Sequence, residues 1–176
     1  MSGFEKVWAN PDDSFVLDLD VVQRRLEERM SSSPLFAPLS EYLTELLQGF
    51  SADSLMREYY DHQRMELASQ AGTAQSEALK YMRAGDLGMF ITMFYEEGSI
   101  FLATSQMAEQ NFSDAADLME NPGSMLLKSA SIEVPNISSL LWTVREDLDF
   151  STGLGLPEPD AIRLPPSIEN EFGQYL

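Results

Sequence analysis

Apolar residues recur at helical spacing through most of the first 120 positions. Tyr42, Leu43, Leu46 and Leu47 share one stripe of a 3.6-residue repeat, so a helix is predicted over 41–50, opened by Pro38 and Ser40. Gly49, Ser51 and Asp53 mark a break, and a second amphipathic stretch covers 54–69. Ala71, Gly72 and Thr73 interrupt the pattern before a further helix over 74–84. Gly85 is expected to end that helix in a left-handed conformation, and Asp86 to cap the next one. An earlier helix is predicted over 21–30, where Arg24, Arg25 and Arg29 face Glu27 and Glu28, and residues 1–17 read as extended.

From Leu87 the periodicity is ambiguous. Leu87, Phe90, Ile91 and Phe94 keep helical spacing, and Met89 and Met93 add a second apolar stripe; a helix apolar nearly all round has to be deeply buried. Residues 100–104 fit helix or strand, because Glu96, Glu97, Gly98 and Ser99 could form a hairpin loop. Ser113 or Asp114 is expected to cap a short helix to Glu120, ended by Asn121, Pro122 and Gly123. Residues 131–134 alternate as a strand does, Pro135 and Asn136 read as a turn, and Leu140, Leu141, Val144 and Leu148 suit a helix capped by Asn136 or Ser138, while Leu140, Trp142 and Val144 suit a strand almost as well. The predicted fold class is therefore mainly α, a multi-helix body over 1–150. The alternative is an α+β cone with strands near 100–104 and 131–144.

After Phe150 the character changes. Gly153, Gly155, Pro157, Pro159, Pro165 and Pro166 disfavour helix and sheet interior, so 151–176 reads as an extended C-terminal arm. Leu154, Leu156, Ile162, Leu164, Ile168, Phe172, Tyr175 and Leu176 make the arm too apolar for an inert linker. These eight are its candidate partner-binding residues.

Charge alters the picture most. Twenty-nine acidic residues oppose eleven basic ones, a net charge of −18, and none of the basic residues lies between Ala84 and Leu127. Binding to a phosphate backbone depends on cations that displace counterions, so direct nucleic-acid binding is disfavoured. Acidic surface keeps a chain soluble and also attracts basic partners. The chain has no cysteine, which removes disulfides, thiolate metal sites and cysteine nucleophiles. The first residues show no basic region followed by an apolar run, and the longest apolar stretch, from Leu87, is cut at Glu96 after too few residues to span a bilayer. A cytoplasmic protein, or a component of a virion or large assembly, is the expectation. The triplets beginning at Asn111 and Asn136 match glycosylation sites and are read as chance.

Little in the chain resembles a catalytic site. Glu58, His62 and Glu66 lie four apart and share one helical face, where an imidazole between two carboxylates could hold a metal or act as a base. Helical di-iron sites use a three-residue Glu-to-His step on two helices, and this chain has a single histidine. A solvated, charge-laced face, with Arg57 paired to Asp61, is the simpler expectation. No glycine-flanked serine elbow occurs, and the Gly153 to Pro157 segment lacks the lysine of a phosphate loop. No cofactor is implied.

Residues 78–101, with a helix leading to Gly85-Asp86 and an apolar run ending at Phe101, resemble the opening of cone-shaped α+β domains of the ketosteroid-isomerase and polyketide-cyclase type. That resemblance implies a helix, a Gly-Asp turn, a second helix and a first strand. It carries no acid–base residue onto this chain. Three functions follow from the sequence. The favoured one is a non-catalytic interaction or assembly subunit, of the phage or viral structural kind among others, docking on protein partners or a basic surface through its termini. The alternatives are a small-molecule-binding or isomerase-like cone and an acidic mimic of nucleic acid.

Overall fold

A computed structural model of the chain describes residues 37–49, 54–93 and 98–147, together with Arg24 and Glu28, which are helical. The C-terminal arm and its eight candidate residues lie outside the described residues. The described chain is helical: α1 (Ala37–Gly49), α2 (Ser54–Ala68), a 3-10 segment (Ser69–Ala74), α3 (Gln75–Thr92), α4 (Ser99–Leu118), α5 (Gly123–Ile132) and α6 (Val134–Asp147). The mainly α reading holds.

Helix α1 buries Tyr42, Leu43, Leu46 and Leu47, the stripe legible in the sequence, and extends it back to Leu39. It begins four residues earlier than expected, because Pro38 sits in the first turn, where a missing N–H costs nothing. Helix α2 turns Tyr60, Arg64 and Ala68 inward, each four residues from the next. The predicted break after it is real: Gly72 has φ +58° and ψ −121°, a conformation for glycine.

The structure corrects the reading at Gly85 and Asp86. Helix α3 runs unbroken through both, so neither residue ends or caps a helix. Gly85 lacks a side chain because the Phe112 ring of α4 occupies that space; a Cβ there would lie 2.6 Å from two ring atoms. At Gly88 a Cβ would lie 2.7 Å from the Thr104 carbonyl oxygen and 3.0 Å from the Ala108 nitrogen. The two glycines let α3 press backbone to backbone on α4, its most extensive contact. Residues 84–93 are buried throughout, as a helix apolar nearly all round requires.

The cone alternative is also corrected. Residues 100–104 belong to α4, residues 131–134 to the α5–α6 junction and residues 134–144 to α6; the described residues contain no strand. The resemblance of 78–101 to the cone domains therefore does not extend to their fold. Gly98 supplies the entry to α4 with φ +102°, and the helix continues past Ser113 and Asp114, which cap nothing. Thr104 and Asn111 instead bond their own helix, donating to the Phe101 carbonyl at 3.1 Å and the Met107 carbonyl at 2.8 Å. Asn111, in one glycosylation-like triplet, is 1% exposed. Pro135, read as a turn residue, stands in the first turn of α6. Helix α6 packs on α3, α4 and α5 and buries Ile137, Ser138 and Leu141. No described helix is long and apolar enough to cross a membrane.

Candidate functional site

The main polar feature of the interior is a four-residue cluster joining α1, α2 and α3. Asp86 projects from the buried half of α3 with no exposure to solvent. Its Oδ1 accepts a hydrogen bond from the Tyr42 hydroxyl at 2.7 Å, and its Oδ2 accepts from the Tyr60 hydroxyl and from Arg64 Nε, each also at 2.7 Å. Arg64, likewise fully buried, donates through Nη2 to the Tyr42 carbonyl at 3.0 Å and approaches Glu45 Oε1 through Nη1 at 3.5 Å. Its guanidinium carbon stands 3.7 Å from the Tyr42 ring centroid and 4.9 Å from that of Tyr60, both within cation–π range. Tyr42 in turn meets Phe112 edge-on, with centroids 5.9 Å apart.

Helical geometry produces this convergence. Tyr60 and Arg64 are one turn apart on the inward stripe of α2, and Gly49 at the end of α1 leaves room for the Tyr60 ring, which a Cβ would approach to 2.5 Å. Electrostatically the cluster is closed. Burial opposes the Arg64 charge, but Asp86 and the two phenols outweigh it and raise its pKa. Burial also lifts both tyrosines well above the ordinary phenol range, reinforced by neighbouring Asp86, so each remains a donor. Glu45, at the edge, is pushed up by burial more than Arg64 pulls it down, with Glu41 and Asp86 adding to the rise.

Such an arrangement binds helices together. A carboxylate closed to solvent and holding three donors has no face left for a substrate in this conformation, so the cluster works as a clamp between α1, α2 and α3. Beside it, Glu41, Glu45, Glu66, Gln63, Gln70 and Leu126 help line an open groove of about 270 Å³. The groove brings carboxylates from α1 and α2 together at the surface.

Compared with protein-family models, curated proteins and solved structures, the chain matches none.

The described residues singled out from the sequence lie outside the buried cluster, with Glu66 at the rim of the groove beside it. Glu58, His62 and Glu66 do share one face of α2, but it is the solvent face; His62 Nε2 stands 3.9 Å from Glu66 Oε2, with side chains 75% and 69% exposed. Among the described residues no three histidine or carboxylate groups are arranged to hold a metal ion. Asp61, expected to pair with Arg57 along the helix, is bonded by Arg83 of α3 at 2.8 Å. The buried cluster went unnoticed in the sequence, although a signal was there. Arg64 interrupts the inward stripe of α2, and Asp86 is the one charge in the otherwise uncharged stretch 84–93. Two opposite charges on two buried helical faces call for each other.

Proposed function

We propose that this protein is a non-catalytic interaction or assembly subunit, an acidic helical body that docks on protein partners, with the apolar arm over 151–176 as a docking element. The observation that carries this reading is the division of its polar chemistry. Inside, Arg64, Asp86, Tyr42 and Tyr60 satisfy one another. Outside, carboxylates dominate a chain of net charge −18, interspersed with large exposed apolar side chains such as Leu55, Leu102, Met125 and Ile132. Acid draws a basic surface by long-range attraction, and the apolar groups add contact area once it arrives. A cytoplasmic setting, or a place within a virion or other large particle, accords with this reading.

The test is affinity capture of the full chain from its native source at low and moderate salt, beside the same capture with residues 151–176 deleted. The reading expects a basic protein partner whose recovery falls as salt rises, because exposed charges are screened beyond about 8–10 Å. It expects the truncated chain to remain folded and lose that partner. Retention of the partner by the truncated chain removes the arm from the account, and capture indifferent to salt removes the acidic attraction.

A further inference from the structure

We draw no further inference here: the strongest candidate, the open groove between α1 and α2 lined by Glu41, Glu45 and Glu66, is a cluster of carboxylates with no second observation that points to a ligand, and nothing in the structure shows what covers it.

Discussion

Arg64 of α2 donates its Nε–H to Oδ2 of Asp86 of α3 at 2.7 Å, with neither side chain exposed to solvent. Such a pair has to be complete to be tolerated. Desolvating each charge is expensive, and only the partner's field and well-aimed hydrogen bonds offset that cost. Here the offset comes from both sides. The carboxylate holds two phenol donors besides the guanidinium, and the guanidinium lies against two aromatic faces.

Removing Asp86 alone is therefore expected to be severe. Asp86→Ala leaves a buried guanidinium uncompensated and two phenols without their acceptor, at a cost of about 3–5 kcal/mol in denaturant unfolding. Adding Arg64→Met should recover part of that loss, since the stranded charge goes with it. A double-mutant cycle reads the coupling directly. If the two substitutions add without interaction, the pair does not organise the α2–α3 contact.

The helical architecture was legible because burial and periodicity agree in α1 and α2, where the inward stripe is continuous or nearly so. It was not legible at Gly85 and Asp86, for a physical reason. Glycine and aspartate favour helix ends when their neighbours are solvated. In α3 the glycine is a space for Phe112, and the aspartate finds its donors on two other helices rather than on its own backbone. Both reasons are tertiary, and no local pattern contains them. The same applies to 100–104 and 131–144, whose apolar runs suit either strand or helix until their neighbours are known. Glu58, His62 and Glu66 teach the converse: spacing correctly placed them on one face, but it could not say that the face is the outer one.

Glu45 makes stability depend on pH in a definite direction. Burial raises its pKa above the ordinary value of 4.5, so the folded state binds its proton more tightly than the unfolded chain does. The stabilisation linked to this group is complete below 4.5 and is lost as pH rises through the higher folded value. Replacing Glu45 with Gln keeps the shape and removes the titration. The stability of the variant relative to the unmodified chain should thus be more favourable at pH 7 than at pH 4. Unfolding curves at the two pH values check it, and a relative stability unchanged between them, or shifted the other way, overturns the assignment.

Gln70 is expected to pin the turn between α4 and α5. Its side-chain Oε1 accepts the Gly123 N–H at 2.8 Å, one of the donors left open at the start of α5, and its carbonyl accepts the Glu120 N–H at 3.1 Å. Gln70→Ala should cost about 1 kcal/mol, the net value of a typical hydrogen bond. Amide exchange should localise the effect, with a greater acceleration over the unmodified chain at Gly123 than at Leu127 inside α5. Equal acceleration throughout the molecule would show that Gln70 contributes to the core generally and not to this turn.

Two glycine-to-alanine substitutions should both destabilise, one through packing and the other through backbone conformation. In Gly88→Ala the new methyl meets the Thr104 carbonyl oxygen at 2.7 Å and the Ala108 nitrogen at 3.0 Å, both backbone atoms that can yield only if α3 and α4 move apart. Overpacking costs about 1–3 kcal/mol, and against two backbone atoms the cost falls in the upper part of that range, above the ~1 kcal/mol that alanine gains over glycine in a helix interior. In Gly72→Ala nothing lies within 4 Å of the added Cβ, and the cost of about 1–3 kcal/mol arises entirely from holding φ at +58°. A larger side chain separates the two causes. Gly88→Ser has to fit one more atom into the gap already closed by the Thr104 carbonyl and the Ala108 nitrogen, so it should cost more than Gly88→Ala. Gly72→Ser should cost about as much as Gly72→Ala, because nothing lies within 4 Å of the Cβ there and φ alone sets the cost. A Gly88→Ser variant no less stable than Gly88→Ala would mean that the α3–α4 backbone approach is not what selects glycine at position 88.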